Sequence, residues 1–165
     1  MNFTHQELVL RAEKWLWSIG CKIVVRDPFR CTMNKEQPDA IGWRYDGLSI
    51  LVECKTNRAD YFADNKKEFR NYPGMKGMGQ YRFYMTPKGL IKPEELKTRW
   101  GLLEVTEHKT FATHGKPKFP SKWGDYPPFT WVNEEAERNI LLSSLRRMHL
   151  RGYLKDIYEG VITNG

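Results

Sequence analysis

The sequence predicts an α/β domain with a mixed central sheet flanked by helices. Short apolar runs bounded by turn residues alternate along the chain with segments whose apolar residues recur every three or four positions. The Tyr45-Asp46-Gly47 turn between two of the apolar runs is typical of a β-hairpin. With 165 residues, 40% of them hydrophobic, the chain is long enough for one core. We therefore expect a single domain over 1–165, with a core over about 1–108 and a C-terminal loop and helix extension over 109–165.

The first predicted element is a helix that ends at Gly20. The segment Thr4-His5-Gln6-Glu7 has the pattern of a capping box, which satisfies the free amides at a helix start. Apolar side chains follow at helical spacing: Leu8, Ala12, Trp15, Leu16 and Ile19. A short strand over 22–25 then ends at Asp27-Pro28. Residues 29–37 are polar and irregular, which predicts a loop.

The middle of the chain predicts a hairpin followed by a helix. The hairpin strands cover 40–45 and 48–54, and the polar segment 58–72 favours a helix capped by Asn57. Residues 73–79 contain three glycines and a proline, so we expect this segment to be irregular and mobile.

The second half of the chain predicts two more strands, over 81–85 and 101–105, with a short helix starting at Pro93 between them. Residues 109–130 are rich in Pro, Gly, Lys and aromatics, which indicates a long ordered loop or an irregular hairpin. A final helix runs from 134 to 150, with 158 as its outer limit. The resulting order of elements is typical of a small mixed sheet flanked by helices.

Charge and composition narrow the classes of protein that the chain can represent. The net charge is +7, and a basic surface of this kind suits a polyanionic partner, although an ordinary basic protein is the alternative. From Lys55 through Arg99 there are eleven basic and five acidic residues. Three cysteines without CxxC spacing argue against a disulfide framework and a structural zinc site. With no signal-peptide pattern and no long apolar run, we expect a cytoplasmic, intracellular protein that does not enter a membrane.

One stretch carries the residues of a candidate catalytic site. In a strand, alternate residues share a face, so Glu53 and Lys55 project together and Cys54 projects to the other side. The hairpin would fold Asp39 back beside Glu53. Two carboxylates and a lysine at one place can hold a divalent cation and orient a water for attack on a phosphodiester. A structural ion pair between Glu53 and Lys55 is the simpler alternative.

This arrangement resembles the PD-(D/E)xK nuclease superfamily, with Asp39, Glu53 and Lys55 in the three motif positions. The resemblance implies a restriction-endonuclease-like core and metal-dependent hydrolysis of DNA. Asp39, Glu53 and the main-chain carbonyl of Cys54 would hold Mg²⁺, for which Mn²⁺ would substitute. Lys55 would orient the water or stabilise the transition state.

Residues 37–105 resemble the MmcB-like branch of the superfamily, a group associated with DNA repair. The similarity rests on an Asp-x-x-x-Asp-x-Lys pattern at Asp60, Asp64 and Lys66, an aromatic strand ending at Pro87, and a later Gly-Leu strand at Gly101. It implies a prokaryotic or phage endonuclease. Structured or damaged DNA is the expected substrate, because no sequence-reading module is evident.

Several further residues are candidates for the site. Arg58, Lys66 and Lys67 could contact substrate phosphates, and Asp60 and Asp64 could be auxiliary site residues. A solvated helix face is the alternative for Asp60, Asp64 and Lys67, and simple surface charge is the alternative for Arg58. Relatives in the superfamily often supply another residue from the first helix, and the candidates here are His5, Glu7 and Glu13. Glu7 is already explained by the capping box, and His5 by a half-buried position at the helix start.

Other functions and partners stay open at this point. The chain could keep the fold and bind nucleic acid without turnover, or it could be a ribonuclease, although DNA is favoured over RNA. Aromatic residues near lysines, including Phe129 and Trp131, could stack on unpaired bases or form a satellite core. The apolar side chains of the final helix suit packing or a homodimer interface.

Overall fold

The computed structural model describes residues 2–70, 76–115 and 127–158. Within these residues six strands form one mixed sheet, and their spatial order follows their order in the chain. The strands are β1 (Ile23–Arg26), β2 (Ala40–Trp43), β3 (Ser49–Cys54), β4 (Tyr81–Pro87), β5 (Trp100–Val105) and β6 (Thr110–His114). The pairs β3–β4 and β4–β5 are parallel, and the other neighbours are antiparallel. The chain therefore has the predicted α/β class with a mixed sheet.

Three α-helices pack with this sheet in the described ranges: α1 (His5–Ser18), α2 (Arg58–Asp64) and α3 (Glu134–Leu150). Thr4 and Glu7 form the predicted capping box of α1. The side chains of Asn57 and Asn133 accept amide hydrogen bonds at the starts of α2 and α3, as their sequence positions predict. Short 3₁₀ turns cover Glu68–Arg70, Pro93–Glu95 and Tyr153–Tyr158.

The two faces of the sheet carry separate hydrophobic clusters because side chains alternate along each strand. On β3, Ile50 and Val52 belong to the cluster that contains the apolar face of α1. Leu51 belongs to the other cluster, to which α2 contributes Tyr61 and α3 contributes Ala136 and Ile140. The sheet is thus covered by α1 on one face and by α2 and α3 on the other.

The structure differs from the predicted elements in two places. The predicted helix over 58–72 ends at Asp64, and a 3₁₀ turn follows at 68–70; residues 71 and 72 lie outside the described part. Strand β6 lies where a loop or an irregular hairpin was predicted, and it pairs regularly with β5 apart from one bulge. Helix α3 covers Glu134–Leu150 as predicted and does not continue to the outer limit of 158, because Gly152 takes a left-handed φ of 82°.

The glycine-rich segment 73–79 was predicted to be mobile. Residues 73–75 lie outside the described part, but 77–79 are built into the fold. Met78 is fully buried, and its N–H donates to Glu36 at 2.6 Å. The N–H of Gly79 donates to Glu137 of α3 at 2.8 Å. The mobility prediction is therefore wrong for Met78 and Gly79, because their amides are bound by buried carboxylates.

No helix among the described residues is long and apolar enough to cross a membrane. The outer side of α3 and the turn after it expose Leu142, Leu145, Met148, Leu150, Tyr153 and Ile157. A homodimer through this surface stays a prediction.

Candidate active site: a buried carboxylate cluster

The antiparallel pairing of β2 and β3 sets Asp39 against Glu53. Ala40 pairs with Val52, so the residue before Ala40 comes opposite the residue after Val52. Oδ2 of Asp39 accepts a hydrogen bond from the N–H of Cys54 at 2.7 Å. The Asp39 side chain keeps 17% of its surface exposed, whereas that of Glu53 keeps 3%. Asp39 thus lies opposite Glu53, as the hairpin predicted, and it is the more exposed carboxylate of the pair.

Glu53 and Lys55 lie on the same side of the chain at the end of β3. Nζ of Lys55 is 3.2 Å from Oε2 of Glu53 and 3.4 Å from Oδ1 of Asp64. The N–H of Lys55 donates to the carbonyl of Met85 at 2.9 Å, which extends the β3–β4 ladder by one residue. Cys54 points the other way, into the cluster beneath α1. The three motif residues thus converge.

Asp64, at the last position of α2, is a central member of the cluster. Its Oδ2 accepts hydrogen bonds from the hydroxyl of Tyr84 at 2.9 Å and from Nε of Arg70 at 2.9 Å. Its Oδ1 lies 2.7 Å from Nζ of Lys67. Asp64 is buried, so these contacts compensate a charge that water cannot reach.

Arg70 joins three carboxylates from separate parts of the chain. Its guanidinium contacts Glu36 and Asp64, and Nη2 lies 2.6 Å from Oε1 of Glu53. The contact with Glu53 is an ion pair without the alignment of a hydrogen bond. The guanidinium also lies 5.3 Å from the centre of the Trp100 ring. Arg70 is thus the buried cation around which the cluster is organised.

Within the described residues the cluster contains more acidic than basic groups. Four carboxyls (Glu36, Asp39, Glu53 and Asp64) face three bases (Lys55, Lys67 and Arg70). Burial raises the pKa of Glu53 to about 7, and the nearby Asp39 and Asp64 add to this against the opposing effect of Arg70 and Lys55. Burial likewise raises the pKa of Glu36.

Two members of the cluster stay charged in spite of their burial. Burial opposes ionisation of Asp64, but Arg70 and Lys55 outweigh it and hold the pKa of Asp64 well below its usual range. Burial would lower the pKa of Lys55, yet Glu53 and Asp64 raise it above its ordinary value. Lys55 is consequently an ammonium donor at neutral pH and cannot act as a general base there.

Of the three candidates on the first helix, His5 reaches the site. Nε2 of His5 is 3.3 Å from Oδ1 of Asp39, and this contact raises the pKa of the imidazole. Glu7 is engaged by Thr4 in the capping box. Glu13 accepts a hydrogen bond from Arg26 at 2.6 Å. These local partners account for Glu7 and Glu13.

The residues of α2 and the turn after it that were predicted to contact phosphates or to assist the site have different surroundings in the structure. Lys67 contacts Asp64, as given above. Arg58 pairs with Glu95 through Nη1 and Nη2, the two terminal nitrogens of its guanidinium, and lies over the Phe62 ring, so its charge is already matched. Asp60 is bound to the side chain of Asn57 at the start of α2. Lys66 is exposed, and in the described part of the chain its side chain makes no ion pair with these carboxylates.

The donor set can be tested against the Mg²⁺ that the resemblance implies. Asp39 and Glu53 supply oxygen ligands at one place, and Oε1 of Glu53 is buried without a hydrogen bond. The surplus of carboxyls also favours an added cation. Against this, the described residues contain no group of three His, Cys, Asp or Glu side chains placed to hold a metal ion. The carboxylate oxygens are therefore the type of ligand that Mg²⁺ prefers, and Arg70 competes with the ion for Glu53.

Sequence reasoning missed Arg70, Glu36 and Tyr84. Tyr84 had no sequence signal, because its position opposite Glu53 depends on the parallel register of β3 and β4. Arg70 and Glu36 had none that we can identify. They lie 34 positions apart in a predicted helix and a predicted loop, and only the tertiary fold brings them together.

Comparison with models of known protein families and with curated proteins gave no match. Among solved structures, the chain is similar to the SPO1766 protein of unknown function from Silicibacter pomeroyi. The two chains are 17% identical, the match covers 99% of this chain and 100% of the other, and the TM-score is 0.58. This likeness concerns the fold alone.

Proposed function

We propose that the protein is a metal-dependent nuclease that hydrolyses phosphodiester bonds in DNA. The observation that carries the proposal is the convergence of Asp39, Glu53 and Lys55 at the adjoining ends of β2 and β3. We further propose that the sheet with α1 and α2 is a restriction-endonuclease-like core, with structured or damaged DNA as its substrate. The basic composition supports a polyanionic partner.

Each motif residue has a distinct role in this proposal. Asp39, which is partly exposed, and Glu53 would hold Mg²⁺ or Mn²⁺ together with the carbonyl of Cys54. Such an ion lowers the pKa of a bound water and neutralises charge on the phosphate. Lys55 is protonated, so its ammonium would donate to the attacking water or to a phosphate oxygen. His5 would hold Asp39 in position through its contact at 3.3 Å.

One observation favours a second candidate, a nucleic-acid-binding protein without turnover. Arg70 already contacts Glu53 and is held in place by Glu36 and Asp64. A guanidinium fixed by three carboxylates is costly to displace. If Arg70 keeps its contact with Glu53 in the presence of a metal ion, the ion does not bind there, and the chain binds nucleic acid without cleaving it.

A cleavage assay tests the proposal. The purified chain would be incubated with Mg²⁺ or Mn²⁺ and supercoiled, linear, single-stranded or branched DNA, with RNA as a further arm. Glu53→Ala and Lys55→Ala are the test variants. Glu94→Ala and Lys109→Ala are matched controls, since both residues are exposed. Circular dichroism would verify that every variant is folded.

We expect cleavage by the unmodified chain and both controls, and a loss of roughly 10²-fold or more in the two test variants. Metal-dependent cleavage of RNA in preference to DNA would replace the DNA assignment by a ribonuclease. The absence of cleavage on every substrate, with binding unchanged in folded Glu53→Ala, would overturn the enzymatic proposal and leave the binding protein.

A further inference from the structure

A cavity of about 620 Å³ lies beside Arg70, next to the carboxylate cluster. Four of the residues that line it are basic, namely Arg70, Arg82, Lys97 and Arg99. Aromatic rings form much of the remaining wall, and no acidic residue is among the described lining residues. Arg70 is matched by its three carboxylates, so Arg82 and Arg99 are the cations that bear on a ligand here.

Arg82 is a buried cation that has no carboxylate in contact. It projects from β4 with 5% of its surface exposed, and Nε and Nη2 donate to the carbonyls of Gly79 and Gly77 at 2.9 Å each. None of the ion pairs among the described residues includes Arg82. The acids that influence it, Glu36 and Glu137, are bound by other partners.

Burial lowers the pKa of Arg82 to about 10, so the guanidinium is still charged at neutral pH. A buried charge that has carbonyls but no carboxylate in contact remains costly. An anion placed in the cavity beside Arg82 would relieve this cost.

Arg99 also lines the cavity, and its backbone has an unusual conformation. Its φ of 69° lies in the left-handed region, which non-glycine residues seldom adopt and which is found preferentially at functional sites. Its Nη2 donates to the carbonyl of Pro127 at 2.8 Å, whereas its Nε is buried without a hydrogen-bond partner. The unused N–H donor is a second, independent sign that the cavity can accept a ligand.

Aromatic rings add a second recognition surface to the cavity. The guanidinium groups of Arg82 and Arg99 lie 4.2 and 4.6 Å from the centre of the Phe129 ring. This packing holds both cations in place. Trp131 lines the cavity and is half exposed. The ammonium of Lys76 lies 4.3 Å from the centre of the Trp131 ring. A planar ligand can stack on the exposed part of such a ring.

We propose that this cavity binds a nucleotide, with its phosphate at Arg82 and Arg99 and its base against Trp131. A volume of about 620 Å³ falls in the range of small-ligand pockets. Phosphate oxygens match the fork of a guanidinium, and Lys97 lines the same wall. The nucleotide is either a free mononucleotide or the phosphorylated end of a DNA strand. This site goes beyond the proposed function, and it does not depend on cleavage.

Calorimetric titration tests the site in the presence of EDTA, where metal-dependent cleavage cannot contribute. The probes are thymidine 5′-monophosphate, thymidine and inorganic phosphate. The test variants are Arg99→Gln and Trp131→Leu, and Arg146→Gln on the exposed side of α3 is the matched control. Because EDTA removes the metal ion that the proposed cleavage needs, failure of this site is distinguishable from failure of the nuclease.

We expect the monophosphate to bind at least tenfold more tightly than thymidine. We expect Arg99→Gln to weaken monophosphate binding by on the order of tenfold, since a charge-assisted hydrogen bond is lost. We expect Trp131→Leu to weaken it about fivefold or more through lost stacking. Arg146→Gln should bind as the unmodified chain does. Equal binding of thymidine and its monophosphate, or unchanged binding in both folded test variants, would overturn the proposal.

A short oligonucleotide with a 5′-phosphate, compared with its 5′-hydroxyl form, distinguishes the two sources. Tighter binding of the phosphorylated strand, abolished by Arg99→Gln, supports the site and assigns it to a DNA end. Tight binding of the monophosphate with no difference between the strands supports the site and assigns it to a free nucleotide.

Discussion

Nη2 of Arg70 lies 2.6 Å from Oε1 of Glu53, and each of the two side chains keeps no more than 3% of its surface exposed. The same guanidinium contacts Glu36 and Asp64. Arg70 therefore connects four parts of the chain: the loop before β2, the end of β3, the end of α2 and the turn after α2. The carboxylate cluster is at once the candidate active site and a buried structural contact.

Replacing Arg70 by methionine should destabilise the fold severely. The substitution leaves three buried carboxylates without their common cation, and breaking a buried ion pair on one side costs about 3–5 kcal/mol. Urea unfolding would measure the loss. Arg138→Met, at an exposed position of α3, is the control and should change the free energy of unfolding by less than about 0.5 kcal/mol. A loss below about 1 kcal/mol in Arg70→Met would contradict the central role of this residue.

The raised pKa of Glu53 predicts a definite dependence of stability on pH. The carboxyl titrates near 7 in the folded chain and near 4.5 in the unfolded chain, so the folded state binds more protons between these values. The free energy of unfolding therefore falls as pH rises through this window. The stabilisation that Glu53 contributes is fully present below about pH 4.5 and is lost as pH rises through about 7. At most, this loss lowers the free energy of unfolding by about 3 kcal/mol.

Comparison with Glu53→Gln isolates this effect from the titration of His5 and Glu36, whose pKa values are also raised. Urea unfolding of both chains at several pH values between 4.5 and 7.5 gives the difference in free energy of unfolding. We expect the unmodified chain to lose stability relative to Glu53→Gln as pH rises. A difference that stays constant, or that changes in the other direction, would show that Glu53 is ionised throughout.

Removal of the Tyr84 hydroxyl should weaken the cluster without disturbing the core. The hydroxyl donates to Oδ2 of Asp64 at 2.9 Å, and hydrogen bonds to charged groups contribute about 1.5–3 kcal/mol. Tyr84→Phe keeps the ring stacked on Trp100, so the expected loss belongs to the hydrogen bond. Tyr45→Phe is the matched control, because Tyr45 is 89% exposed. Thermal and urea unfolding would measure both, and equal stability of the two variants would argue against the bond.

Glu137 should be the main polar link between α3 and the sheet. Its carboxylate accepts hydrogen bonds from Ser49 Oγ at 3.0 Å, from the N–H of Gly79 at 2.8 Å and from Nε1 of Trp43 at 3.1 Å. Glu137→Leu leaves these three donors buried or half-buried without a partner, at a cost of about 1–3 kcal/mol each.

We therefore expect Glu137→Leu to lower the free energy of unfolding by about 3 kcal/mol or more. Glu135→Leu, two positions earlier on the exposed side of α3, should have little effect. Urea unfolding followed by circular dichroism would measure the free energy of unfolding of both variants. A Glu137→Leu chain as stable as Glu135→Leu would refute the link.

Local sequence patterns predicted the elements whose signals lie within a few residues. The capping box at Thr4 and Glu7 and the cap at Asn57 are local hydrogen-bonding patterns, and both are found. The hairpin turn fixed the register of β2 and β3, so the opposition of Asp39 and Glu53 was predictable. Strand β6 was not, because its pairing with β5 depends on an edge that the sequence does not reveal.

The sequence by itself determined the α/β class, the helix starts and the meeting of Asp39, Glu53 and Lys55, because each depends on contacts along one hairpin or one helical turn. The tertiary structure alone decided that Arg70, Glu36 and Tyr84 surround this site and that Arg82 and Arg99 share a cavity beside it. Those residues come from separate strands, turns and loops, and their contacts form only when the sheet and its helices are packed.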